Sequence, residues 1–213
     1  MKKTIILISA ITLTALTGSV ASESLRAGLI IGGASHRASV KTILGTAKDK
    51  LTTSSPAVGV FFGVDCKISE SPLFVGMEFS LINHNAEEEQ YLTTHGITAT
   101  SFKLKTNNSF KQMLRFGFVA NEAENDILLY GKAGLASTNW ETTVTDQLVY
   151  KNQFQKYGLV AGIGMESKVN KSFSIAWEHE FTFNSEMRRL HPELELKTKP
   201  LVQTTSMRLT YSF

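Results

Sequence analysis

The sequence holds one cysteine and four prolines among its 213 residues, and it carries no surplus of one charge, with 22 Lys+Arg against 19 Asp+Glu. A lone cysteine, Cys66, excludes an internal disulfide, and its distance from the amino terminus excludes the acylated cysteine of a lipoprotein. No basic run is interleaved with stacking aromatics, so no nucleic-acid partner is expected. The apolar stretch from Thr4 to Leu16 falls short of the roughly 20 residues that a spanning helix needs, and nothing after it comes closer. Any passage through a membrane must therefore use strands. What is present suffices for one folded domain: 42% hydrophobic and 19% charged residues offset the ordering entropy of the chain.

The first residues read as an export signal. Met1-Lys2-Lys3 is a basic start, Thr4 to Leu16 an apolar stretch, and Ser19-Val20-Ala21 the small-x-small pattern of a cleavage site. Residues 1–21 are therefore expected to be a cleaved signal peptide, and residues 22–213 one exported domain.

The remainder repeats a strand. Side chains alternate apolar and polar over residues 24–34, 55–65, 73–83, 111–121, 127–137, 154–166, 172–183 and 201–213. Connections after the odd-numbered segments hold 20, 27, 16 and 17 residues, and those after the even-numbered ones 7, 5 and 5. A soluble sandwich has no reason to sort loop length by parity, whereas an outer-membrane barrel has short periplasmic turns and long outer loops. The pattern predicts an all-β fold, an eight-stranded antiparallel transmembrane β-barrel with long extracellular loops.

A soluble lipocalin-like barrel would alternate in the same way but inside out. Two features favour the membrane. The polar faces collect full charges of both signs, Arg26, Asp65, Glu78, Arg115, Lys132, Glu178, Glu180 and Arg208, which suits pairing in a narrow lumen. They also collect glycine, normally depleted in strands, whose missing side chain leaves room in a small barrel. The second feature is the carboxyl terminus, where Leu209, Tyr211 and Phe213 share a face. Aromatic girdles are expected from Phe173, Tyr211 and Phe213 near the periplasm and from Phe154, Phe181 and Phe183 near the outside.

Two stretches carry a family likeness. Tyr130-Gly131-Lys132-Ala133-Gly134-Leu135-Ala136 and Tyr157-Gly158-Leu159-Val160-Ala161-Gly162-Ile163-Gly164-Met165-Glu166 resemble the fifth and sixth strands of the small opacity-type, OmpA-like barrel proteins of Gram-negative bacteria. Lys168 to Ile175 resembles their next turn and strand, with Glu178 at the place of an inward glutamate; Ala176 departs from the arginine common there. Tyr211-Ser212-Phe213 resembles the terminal signal that the barrel assembly machinery recognises, with Arg208 where glycine is usual. The likeness implies an outer-membrane location, contact with lipid and lipopolysaccharide, and an adhesin-like or structural role, with a narrow porin as an alternative.

No catalytic constellation is expected. His36 neighbours Ser35, and His179 lies between Glu178 and Glu180, but alternation turns His179 away from both acids, toward lipid. A lipid A-modifying enzyme is thus the weaker reading, and no cofactor is assigned. His36, His84, His95 and His191 fall in the expected outer connections, which keeps haemin or metal ligation open, since imidazole binds both. Glu87-Glu88-Glu89 and the basic set Arg37, Lys41, Lys48 and Lys50 also fall there; the basics suit lipopolysaccharide phosphates. A host or environmental ligand at the loops, and a monomeric state, complete the expectations.

Overall fold

The computed structural model describes residues 20–42, 48–68, 71–94, 97–120, 127–145, 149–191, 194–198 and 200–213. All its elements are strands: β1 (Val20–Thr42), β2 (Lys48–Ile68), β3 (Leu73–Thr94), β4 (Ile97–Val119), β5 (Ile127–Thr145), β6 (Val149–Lys168), β7 (Phe173–Asn184), β8 (Met187–His191), β9 (Leu194–Thr198) and β10 (Leu201–Ser212). Neighbours pair antiparallel from β1 through β7, β7 pairs with β10, and β10 pairs back on β1. This closes an eight-stranded barrel and leaves no sheet edge in the apolar zone, where an unpaired backbone group would have no water to bond. β8 and β9 form a hairpin beyond β7 and β10, and β9 also pairs with the outer end of β1.

Stagger sets the shape. Stepping across paired residues from Ser35 to Gln203, Phe181, Ala161, Ala133, Leu114, Met77 and Val64 returns to β1 at Leu25, ten residues below the start. Eight strands with that shear tilt by about 43°, within the usual range for small barrels.

Burial alternates residue by residue along β7 and β10, with Phe173, Ile175, Trp177, Met207, Leu209 and Tyr211 outward and Ser174, Glu178, Ser206, Arg208 and Thr210 enclosed. The outward apolar band covers residues 25–33, 56–64, 73–81, 110–118, 127–135, 157–165, 173–183 and 201–213, and these are the membrane-spanning segments. At about 3.3 Å per residue and this tilt the band is about 24 Å tall, the height of an outer-membrane barrel's lipid face. Asn83, Asn108 and Asn139 stand where three strands leave it. Bulges interrupt the ladders at this rim, between Asn83 and Ala86 and between Thr106 and Ser109, and Asn85 there takes a positive φ of 45°.

Two expectations need correction. The long outer connections are mostly strand: β1 to β6 run 19 to 23 residues, about twice the span a bilayer requires, where a strand-like alternation in the sequence, over Ile97 to Lys105 and Glu193 to Lys199, points to such hairpins only in the second and fourth connections. The apolar contrast fades at the rim because above it the outward face meets water and the enclosed face mixes Thr106, Thr142 and the histidines with Leu104, Trp140 and Val144, while the backbone pairing continues. Phe154 does not join the outer girdle. It lies opposite Trp140 and packs against the enclosed apolar cluster, and Tyr157 stands exposed at that level.

Candidate functional site

The barrel interior is built in layers, and the stagger decides which side chains meet. In the layer nearest the periplasm, Arg115 donates from Nη1 to Asp65 at 2.8 Å and from Nη2 to Glu166 at 3.0 Å, and Arg26 donates to the same Glu166 oxygen at 2.8 Å. Arg26 Nε also lies 3.1 Å from Asp65, and Ser174 donates to the other Glu166 oxygen. Two bases thus share two acids, and each carboxylate contacts both guanidinium groups. Below this layer a cavity of about 170 Å³ opens among Ser24, Asp65, Lys67, Lys168, Lys171 and Ser212.

The middle layer joins β3, β5, β7 and β10. Arg208 holds Glu78 through two bonds of 2.8 Å and reaches Glu178 at 2.7 Å. Lys132 lies 2.9 Å from Glu78 and 2.6 Å from Glu178, and the Tyr130 hydroxyl donates to Glu178. Aromatic faces complete the solvation: the Arg208 guanidinium sits 3.8 Å from the centre of the Phe61 ring, and that of Arg115 sits 4.1 Å from Tyr130. Glycine makes the room. A Cβ at Gly164 would stand 2.5 Å from the Tyr130 ring, and one at Gly28 2.6 Å from that of Phe61. One layer further out, Lys111 pairs with Glu180 at 2.6 Å.

All eight charges singled out in the sequence thus line this interior. Lys111 and Glu166 complete the set to five acids and five bases among the described residues, and both were passed over. They stand at the first and last positions of their apolar segments, where alternation gives least purchase; their inward parity was the available signal.

Above the ions the interior turns apolar. Ile30, Ala34, Ala57, Phe61, Ile82, Leu104, Trp140, Val144 and Val202 form one enclosed cluster, beside a smaller one of Met113, Ala136 and Val160. Two histidines expected in loops are found here instead. His36 on β1 and His84 on β3 point inward at the rim, 4% and 1% exposed, with ring centres 5.2 Å apart edge to face. His36 Nε2 meets Ser55 Oγ and His84 Nε2 meets Ser109 Oγ, each at 3.2 Å. Burial lowers His36 to about 4; burial, then the charge of Lys111 and the neighbouring His36, lower His84 to about 2. Neither Nδ1 has a hydrogen-bond partner among the described residues. His95 lies outside the described residues, and of His191 only its strand position, opposite Leu194, is described. His179 faces outward as alternation required, bonded to Thr205 at 2.8 Å.

At the carboxyl terminus Leu209, Tyr211 and Phe213 share the outward face, and the Tyr211 ring meets Phe173 at 5.1 Å and Phe213 at 4.8 Å. Phe213 N–H donates to the Leu25 carbonyl at 3.0 Å, tying the end of the chain across the seam to β1.

Several solved structures resemble this one at low identity. Ail of Yersinia pestis is 16% identical, with 85% of this chain and 97% of that chain covered and a TM-score of 0.37. Neisserial surface protein A is 11% identical over 90% and 97% of the two chains, with a TM-score of 0.42. The amino-terminal β-barrel domain of Pseudomonas aeruginosa OprF is 10% identical over 89% and 97%, also at 0.42. No curated protein matches the sequence significantly. The family described as outer membrane protein beta-barrel domain matches residues 8–207, and with its closed eight-stranded barrel the chain belongs to that family, whose place is the outer membrane.

Proposed function

We propose that the protein is a non-enzymatic structural and surface-interaction barrel, closed to solutes, that presents its outer walls to a host or environmental surface. The observation that carries this reading is the filled lumen. Three layers of paired ions give way to an apolar plug around Trp140, so a solute entering from the periplasm meets side chains at every level. Eight strands leave an interior about as wide as the side chains that fill it. A monomer suffices, since each ionic layer is completed within one chain.

The absence of catalysis is part of the proposal. Among the described residues the two enclosed serine–histidine pairs have no acid at Nδ1 to orient the imidazole, and the rings themselves are buried. Haemin ligation gains no support from His36 and His84, whose rings are walled in. We also assign residues 1–21 to a cleaved leader and Leu209, Tyr211 and Phe213 to recognition by the barrel assembly machinery. Cleavage after Ala21 removes only the first two residues of β1.

Planar-bilayer recording tests the closed lumen. Wild-type protein is expected to give little or no conductance, whereas steady, large channels overturn the proposal in favour of a pore. Sequencing the mature amino terminus tests the leader, with Ser22 expected first.

A further inference from the structure

At the periplasmic mouth, below the layer of Arg26 and Arg115, the cavity of about 170 Å³ takes lining residues from every strand of the barrel, so it lies on the barrel axis. Its two sides differ in chemistry. Phe74 of β3, Val119 of β4 and Leu128 of β5 form an apolar arc over three adjacent strands. The other arc runs from β6 through β7, β10 and β1 to β2, and hydrogen-bond donors line it. Alternation places four of them: Ser24, Lys67, Lys168 and Ser212 each stand two positions from an inward residue, Arg26, Asp65, Glu166 and Thr210. The turn between β6 and β7 adds Asn170, Lys171 and Ser172. Asn170 Oδ1 accepts from the N–H groups of Ser172 and Phe173, each at 2.9 Å, which leaves its NH2 group as the end that donates to a ligand.

Among the described residues the charge of this arc is unbalanced. The acids that line the cavity, Asp65 and Glu166, are each already held by both Arg26 and Arg115. Lys67 and Lys171 are exposed, and among the described residues neither has an ion pair or a hydrogen bond. Lys168 adds a third ammonium group to the rim. Two guanidinium groups against two carboxylates leave the floor neutral. Lys67 and Lys171 therefore set a positive potential in a concave, half-apolar site, where low-dielectric walls focus the field.

We propose that the cavity binds the phosphate group of a phosphate ester. Ammonium, hydroxyl and amide donors converge from several directions, which suits an anion with acceptor oxygens on several sides better than a planar carboxylate. The volume equals about five waters, room for a phosphate and the first carbons of its ester, and the apolar arc faces those carbons. Two sources present this chemistry. One is a soluble ester of the periplasm. The other is the headgroup of an anionic phospholipid in the inner leaflet, reaching in past Phe173, which lines the cavity and is also exposed to lipid. The site lies at the opposite end of the barrel from the outer walls and stands whether or not those walls bind a surface.

The test uses the full chain, isotope-labelled, in micelles of a sugar detergent that carries no phosphate of its own. Inorganic phosphate and phosphatidylglycerol are added in separate titrations, with acetate at matched ionic strength as the control, and the amide resonances of Ser24, Ser172 and Ser212 are followed. Binding is expected to move these three and to leave the amides of the outer rim in place. Lys67→Gln combined with Lys171→Gln is expected to weaken it at least about tenfold, through the loss of charge-assisted bonds. Lys151→Gln, on the outer wall, keeps the wild-type affinity. Lys171→Gln alone, in the turn, serves if the double variant does not fold. Binding of inorganic phosphate assigns a soluble ester as the source, and binding of phosphatidylglycerol alone assigns the lipid; either supports the site when the lysine variant loses it. Equal shifts with acetate and phosphate, shifts unchanged in the lysine variant, or no shift with either probe overturn the proposal.

Discussion

Arg208 of the last strand and Glu78 of the third stand 130 residues apart in sequence and hold one another through two parallel bonds across the lumen. Both are sealed from water, so removing one leaves the other charged and enclosed. Arg208→Met is expected to destabilise the barrel by about 3 to 5 kcal/mol, and adding Glu78→Gln to recover part of that loss. Lys132→Ala, which strands the same glutamate and Glu178, should cost about 3 kcal/mol. Urea unfolding in lipid vesicles measures each. Strict additivity of Arg208→Met and Glu78→Gln would show that the pair contributes no coupling.

Gly164 is required by an aromatic ring. Its missing side chain lets Tyr130 lie flat enough to reach Glu178, since a Cβ there would stand 2.5 Å from the ring. Gly164→Ala is expected to cost about 1 to 3 kcal/mol, the range for overpacking, and much less in a Tyr130→Ala background. Equal costs in both backgrounds would place the effect in the backbone instead.

The enclosed histidines link stability to pH. His36 and His84 sit just beyond the membrane-spanning segments, lowered to about 4 and about 2 by burial before other causes. Below about 6.5 the unfolded chain takes up protons that the folded chain refuses. Their contribution is therefore complete above 6.5 and is lost as pH falls, through both groups down to about 4 and through His84 alone below that. Each contributes a slope of about 1.4 kcal/mol per pH unit in its window. The double variant His36→Gln, His84→Gln should show a shallower loss of stability between pH 6.5 and 4 than wild type. Parallel curves would mean that the rings are protonated without cost.

Removing Phe213 separates assembly from stability. The residue is 75% exposed and its ring touches Tyr211, so its deletion sacrifices little enclosed contact. The truncated chain is expected to refold in detergent into a barrel whose gel mobility changes only on boiling, as expected for the full chain, yet to accumulate less in the outer membrane of cells. Undiminished insertion would remove the terminal aromatics from any recognition role.

Much of the barrel was legible because a strand's period of two writes its faces into the sequence. Residues such as Met207, Leu209 and Tyr211 against Ser206, Arg208 and Thr210 name the lipid side and the lumen side without coordinates. Legibility ended where that contrast ended. At and above the rim Thr106, Thr138 and Thr142 are enclosed although polar, and His36 and His84 looked like loop residues because their immediate neighbours Ser35, Arg37, Asn83 and Asn85 are polar and the enclosed residues two positions away are mostly alanine. Phe154 was misplaced for a related reason: an aromatic at the outer end of a strand suits a girdle and an inner plug equally until its parity against Tyr157 is known.

The sequence by itself determined the eight strands, their inward charges and their outward apolar band, since these depend only on alternation along one strand. It left open which charges meet, because that depends on how far each strand slides past the next. Only the closed barrel, with its ten-residue stagger, raises Glu78, Glu178, Lys132 and Arg208 to one level, drops Asp65, Glu166, Arg26 and Arg115 to another, and brings Lys67 and Lys171 to one cavity. Closure imposes a single register on all eight ladders at once, and no local pattern carries that constraint.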